Sequence, residues 1–307
     1  MYTIDVLKKM KIGVFCGGFS RERDVSLRSG ENVINAIKNL GLNVIKIDPQ
    51  VDGLRDDIDI AYLILHGKCG EDGTIQGWLE MKRIPYTGPG VLSSAMAMNK
   101  VIAKEILARK NIKTPKWQLI TKEENVKIKP PLMVKPCYEG SSIGVSLVKN
   151  KKDVKKIIKK TMKDYKKLFI EEYIKGDEIT VGILGEEKNI KVLPILMLKP
   201  KNEFYDYEAK YTSGMTDFLL PAPLSKRVYS KAEKEAVRAY NALGCRGVAR
   251  IDMIVDKRGD SYVIDINTAP GMTIHSDLPA QAKKAGMTFE DLVFDILSKA
   301  SLDSNYQ

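Results

Sequence analysis

The residues of this chain that could do chemistry fall into four stretches. The most telling pairs Arg250-Ile251-Asp252 with Asp265-Ile266-Asn267. In a strand, residues two apart point to one face, so Arg250 goes with Asp252 and Asp265 with Asn267. If the two strands are neighbours, three oxygen ligands and a guanidinium converge. Hard oxygen donors with open positions suit Mg²⁺ bridging phosphates rather than zinc. A buried acidic pair without a cation would be costly.

The second stretch is Lys135-Pro136-Cys137-Tyr138-Glu139-Gly140-Ser141-Ser142-Ile143-Gly144. A lysine at a strand end, followed by a turn rich in N–H and hydroxyl donors, suits polyphosphate oxygens; a plain hairpin would use the same residues. The third, Cys16-Gly17-Gly18-Phe19-Ser20, could bring backbone N–H groups to an anion at a helix start, or could be a tight structural turn. It is not G-x-G-x-x-G, so a dinucleotide site is poorly supported. The fourth, Phe204 to Tyr211, is polar and aromatic without a sustained period, which fits a loop folding over a ligand or an ordinary surface excursion.

Positioning these groups requires a scaffold, and the apolar pattern supplies one. Strands are expected at Ile12–Phe15, Asn43–Ile47 and Ile58–Leu65, with a helix from about Ser26 stopped at Gly41. That βαβ rhythm predicts a parallel sheet. A helix is expected over Met98–Lys110, then strands at Leu132–Lys135, Ile143–Val148 and Leu168–Tyr173. Further strands follow at Glu178–Leu184, Lys191–Leu198, Gly247–Val255 and Ser261–Asn267, with helices at Lys231–Leu243 and Thr288–Ala300. The fold class is α/β and then α+β, in units 1–88, 89–173 and 174–307.

With 307 residues, 44% hydrophobic and 29% charged, the chain is of ordinary globular composition and two or three domains long. No apolar run approaches the ~20 residues needed to cross a bilayer. Met1-Tyr2-Thr3-Ile4-Asp5 lacks the order of a secretory signal, so a cytoplasmic protein without membrane partners is expected. The formal charge is +11, and between Lys149 and Lys167 ten lysines face only Asp153 and Asp164. Val154, Ile157, Ile158 and Tyr165 recur there at helical spacing, leaving the lysines on a solvated face. With 7% aromatics and no stacking cluster beside the run, a nucleic-acid partner is not expected. Four scattered cysteines and two histidines argue against a disulfide framework or a zinc site.

Taken in order, several motifs resemble the D-alanine–D-alanine ligases of the ATP-grasp superfamily. They are Gly17 to Ser26, His66-Gly67-Lys68-Cys69-Gly70-Glu71-Asp72-Gly73, Lys135-Pro136 with Glu139-Gly140-Ser141-Ser142, Tyr205 to Tyr211, and Asn267-Thr268-Ala269-Pro270-Gly271-Met272-Thr273. The resemblance runs from about Lys11 to Leu297. It implies an ATP-grasp fold behind an N-terminal parallel α/β unit, and ligation of two D-alanines through an acylphosphate for peptidoglycan precursor synthesis. Lys100, Lys135 and Lys210 match phosphate-contacting lysines, and Asp252, Asp265 and Asn267 the ligands of Mg²⁺ (or Mn²⁺). Adenine is expected against Glu171, Tyr173 and Ile174, with Glu178 on the ribose. Arg250 and the Gly271 N–H resemble the oxyanion-stabilising pair. Glu22 matches the holder of the first substrate's ammonium, linked through Ser141 to Tyr211. Ser276, assisted by Lys210, matches the group on the second substrate's carboxylate, with His66 nearby. A homodimer is expected by analogy.

Two positions depart from the family pattern. Asp265 stands where glutamate is usual in the bridging metal ligand, and Asp277 where an apolar residue is common. The nearest rivals are ligases using D-serine or D-lactate as acceptor; Tyr211 favours D-alanine over D-lactate.

Overall fold

The computed structural model describes residues 1–121, 126–186, 189–201 and 214–303. A short helix, α1 (Ile4–Leu7), leads into β1 (Lys11–Phe15). With β2 (Asn43–Ile47) and β3 (Ile60–Leu63) it forms a parallel sheet ordered β2–β1–β3. Ile12 and Val14 share a core with Val33 and Ile37 of α2 (Arg23–Asn39), while Phe15 packs with Ile75 and Leu79 of α3 (Thr74–Lys82). Helix α2 starts before the expected Ser26, because that side chain is used otherwise. Its hydroxyl donates to the Ile64 carbonyl and accepts the Gly17 N–H, fixing the glycine turn beside β3.

The helix expected over Met98–Lys110 is α5 (Lys100–Arg109), and a further helix that was not expected, α4 (Val91–Met98), precedes it. Asn99 between them is extended, and its side chain accepts the Ile102 N–H as the N-cap of α5. Both helices contribute to the core of the C-terminal sheet, through Ala97, Ala103 and Leu107.

The central sheet is antiparallel, in the order β4 (Trp117–Ile120), β7 (Leu168–Glu172), β5 (Leu132–Pro136), β6 (Ser146–Val148). Helix α6 (Lys151–Asp164) covers it with Val154 and Ile158, while Lys151, Lys152, Lys155, Lys156, Lys159, Lys160 and Lys163 are exposed.

Among the described residues the C-terminal sheet has six strands. Its path runs β11 (Thr216–Leu219), β10 (Leu196–Pro200), β8 (Gly176–Leu184), β12 (Val248–Asp256), β13 (Ser261–Asn267), with β9 (Lys191–Val192) also on β8. The strand expected over Lys191–Leu198 is broken by Pro194, which has no N–H to give a ladder; the following Ile195 N–H bonds to the Tyr229 hydroxyl instead. Helix α7 (Lys226–Ala242) covers one face. Helix α8 (Asp277–Lys284) lies against β8, where Gln281 donates to the Thr180 and Pro194 carbonyls. A Cβ at Gly182 would come within 2.7 Å of Leu278, so glycine permits this approach. Helix α9 (Phe289–Ser298) returns to pack on α2. Among the described residues no helix is long and apolar enough to cross a membrane.

Candidate active site

The antiparallel pairing of β12 with β13 sets Asp252 opposite Asp265 and Arg250 opposite Asn267, with a register shift just beyond Asp252. Four polar side chains expected to converge therefore do so. The acidic pair is not left bare. Arg250 donates to both oxygens of Asp252 at 2.9 and 2.8 Å, and the Thr180 hydroxyl adds a bond of 2.6 Å. Lys100, the first residue of α5, spans both oxygens of Asp265 at 2.6 and 2.7 Å. The remaining Arg250 nitrogen lies 3.3 Å from Asp277, which opens α8. Asp277 thus meets a cation rather than solvent.

One side of this wall faces a cleft of about 610 Å³, lined by Glu22, His66, Glu71, Ser141, Asn267, Gly271 and Ser276 among others. The Ser141 hydroxyl donates to Glu22 across the cleft. It is delivered by a turn in which Ser141 and Ser142 have φ of 51° and 59°, a left-handed backbone that non-glycine residues adopt at some cost. Gly140 precedes them because a Cβ there would lie 2.9 Å from Glu22. Ser276 accepts the Thr273 N–H at 3.1 Å and sits 2.8 Å from the Thr273 hydroxyl, close against Gly271.

His66 is buried and Glu71 half-buried at the floor. Burial pushes the His66 imidazole below its usual value, towards the neutral form, and its Nε2 bonds to none of the described residues. Glu71 accepts the Gly67 N–H at 2.6 Å. Its carboxyl is pushed up to about 8, by burial and then by the neighbouring Glu22 charge. Glu71 stood within a quoted motif but was not singled out. Its sequence signal is only that it follows a strand end, and its burial is a tertiary property.

The other side of the wall opens on a smaller cavity of about 100 Å³, lined by Met133, Lys135, Glu171, Tyr173, Ile174 and Glu178 among others. Glu171, 1% exposed, lies between two ammonium groups, Lys135 at 2.5 Å and Lys104 at 2.6 Å. Lys135 thus meets the Glu171 carboxylate as well as lining the cavity. Lys104 was not foreseen; on α5 it reads as one more helical lysine. Both cavities share Lys100, Gly140, Asp252 and Asp265 as lining, so they meet at the acidic wall. Lys210 and Tyr211, with the segment around them, lie outside the described residues.

The donor set can be tested against Mg²⁺. Among the described residues no cluster of three or more His, Cys, Asp or Glu forms an all-protein metal cage. Two facing carboxylates and the Asn267 amide are hard oxygen donors, which matches a Mg²⁺ completed by nucleotide phosphates and water. The residues present fit that ion.

Two antiparallel sheets closing on a lysine-lined cavity, behind a parallel α/β unit, define the class as an ATP-grasp ligase. Comparison with known proteins narrows this. The model described as D-ala D-ala ligase C-terminus matches residues 97–298, and that described as D-ala D-ala ligase N-terminus matches 45–89. A D-alanine--D-alanine ligase of Carboxydothermus hydrogenoformans is 43% identical over 94% of this chain and 97% of its own length. The crystal structure of a Bacillus anthracis D-alanine--D-alanine ligase superposes with a TM-score of 0.83 at 38% identity, covering 94% of this chain and 97% of that one. The same enzyme complexed with ATP gives 0.81 at 37% identity, covering 94% and 96%. The VanG D-Ala:D-Ser ligase of Enterococcus faecalis also gives 0.81, at 27% identity, covering 93% and 98%. The chain belongs to the D-alanine–D-alanine ligase family.

Proposed function

We propose that the joined cavities run the family's reaction on the residues described above: ATP and two D-alanines give D-alanyl-D-alanine, ADP and phosphate. Uncatalysed, a carboxylate is a poor electrophile and will not accept an amine. In the small cavity Glu171, Tyr173 and Ile174 receive the adenine and Glu178 the ribose, so the triphosphate points at the acidic wall. Lys100 and Lys135 lie along that path with ammonium groups for the phosphates. Asp252, Asp265 and Asn267 would hold Mg²⁺, which supplies charge neutralisation for the transferring phosphoryl group.

In the large cleft Glu22, steadied by Ser141, holds the first D-alanine by its ammonium. Its carboxylate oxygen then attacks the γ-phosphorus, and the bond to ADP breaks. Ser276 holds the carboxylate of the second D-alanine, whose amine, after losing a proton, attacks the acyl carbon. Arg250 and the Gly271 N–H face the oxyanion that develops, and collapse of the tetrahedral intermediate expels phosphate. Lys210 and Tyr211 are assigned to the acceptor side and to the Glu22–Ser141 link.

The observation that carries this reading is the shared wall: Asp252 and Asp265 border both cavities, one suited to a nucleotide and one to amino acids. The product is a peptidoglycan precursor, made in the cytoplasm by three units spanning 1–88, 89–173 and 174–307, paired as a homodimer through the first. Phosphate release with ATP and Mg²⁺ across D-alanine, D-serine and D-lactate acceptors tests the assignment. Turnover with D-alanine alone should exceed that with either mixture, and phosphate released only with another acceptor would refute it. Identity of 37% to 43% to the D-alanine ligases named above, against 27% to the D-serine enzyme, favours D-alanine.

A further inference from the structure

Lys104 has no part in the reaction as derived above, yet it is one of the most buried cations of the molecule, only 2% exposed. Its ammonium lies 2.6 Å from Glu171 Oε2, donates to the Thr114 hydroxyl at 2.6 Å, and stands 5.9 Å from the centre of the Phe169 ring. Lys135 already contacts the other oxygen of Glu171, at 2.5 Å. One buried carboxylate therefore has two cations, and of these Lys135 is also assigned to the phosphates, which leaves Lys104 as the one dedicated to Glu171.

We propose that Lys104 is a specificity-determining residue for the nucleotide: it keeps Glu171 an ionised, pure acceptor, so the cavity takes a base with an exocyclic amino group and turns away one with a keto oxygen. The inference rests on the reading that the base sits beside Glu171. An ionised carboxylate can only accept, so it bonds to an amino group and repels a carbonyl; a protonated one donates and would welcome the carbonyl. Burial drives a lone carboxylate towards the protonated form. Here burial pushes Glu171 up, but Lys104 and then Lys135 outweigh it and hold the carboxyl at about 2. Lys104 itself is shifted down, by burial first, and the facing Glu171 offsets this only in part. Thr114 fixes the direction of the ammonium. Lys104 acts through Glu171 and is a positioning residue rather than a catalytic one.

The test is the ratio of kcat/KM for ATP to that for GTP, read as phosphate release from D-alanine, in the full-length chain and in Lys104→Met, Thr114→Val and Glu171→Gln. Lys104→Met should raise KM for ATP more than it lowers kcat. It should also cut the preference for ATP by about tenfold, the value of one charge-assisted hydrogen bond. Thr114→Val, nearly isosteric, should move the preference in the same direction by less. Adding Lys104→Met to Glu171→Gln should cause no further loss of preference, which a general packing role would not produce. If Glu171→Gln destroys the preference while Lys104→Met leaves it intact, the inference is wrong and the base site stands. If Glu171→Gln itself leaves the preference intact, the base is elsewhere and the underlying reading falls. Should Lys104→Met not fold, Thr114→Val decides, and an unchanged preference there overturns the proposal.

Discussion

At the scale of the residue, the site works by matching each buried charge to a neighbour that something else can later replace. Arg250 spans Asp252 and Asp277 and lines the large cleft, where the proposed reaction develops negative charge on an oxygen. An interaction made chiefly in the transition state shows in kcat rather than KM. Arg250→Ala should lower kcat by about 10²–10³ with little change in KM for D-alanine, in steady-state assays at saturating ATP. Glu71 makes the opposite kind of statement, about stability. Its carboxyl holds a proton up to about 8 in the folded chain, against 4.5 ordinarily, so the folded state binds the extra proton between those values. Stability then falls as pH rises through that window, because the unfolded state has already released the proton. The Tm of the chain should carry this decline, and Glu71→Gln should flatten it from pH 4.5 to 8 and melt higher than the parent at pH 8.

At the scale of the element, short interruptions aim the side chains. Asn99 breaks what would otherwise be one helix, caps the second, and so makes Lys100 its first residue, with the Lys100 N–H on the Cys137 carbonyl and its ammonium on Asp265. Asn99→Ala should cost about 1 kcal/mol in denaturant unfolding, the worth of an N-cap, and raise KM for ATP as Lys100 loses its fixed origin. Much of this level was legible in the sequence. The β13 boundaries, the parallel N-terminal strands and the lysine helix follow from apolar periodicity. So does the convergence of Arg250, Asp252, Asp265 and Asn267, because strand alternation is fixed geometry. What was not legible had local signals too weak or contrary. Helices α3 and α8 and strands β4 and β11 are short, and strand β11 is largely exposed, so none shows a sustained period. Lys104 is buried and Glu71 half-buried by segments distant in sequence, and no spacing rule reports that.

At the scale of the molecule, the parallel N-terminal sheet has a core of its own on one face only, around Phe15, Ile75 and Leu79, and shares the core on its other face. Leu7, Ile12, Val14, Val33 and Ile37 are buried together with Met272, Leu278, Leu292, Val293 and Ile296 from the far end of the chain. Ser29 and Asn32 of α2 bond to the backbone of Met272, in the turn that leads to Ser276. The floor of the large cleft and its far wall are thereby one packed body. A fragment of residues 1–88 alone should show no cooperative thermal transition by calorimetry, and a sharp one would mean that the unit is independent. The proposed reaction requires the two cavities to meet, so that a carboxylate in one is phosphorylated by the nucleotide in the other. The most direct measurement uses D-alanine carrying ¹⁸O in its carboxyl group, with ATP and Mg²⁺, and mass analysis of the phosphate released. Transfer of one ¹⁸O to each phosphate is the expected result; dipeptide formed with phosphate free of the label would contradict it.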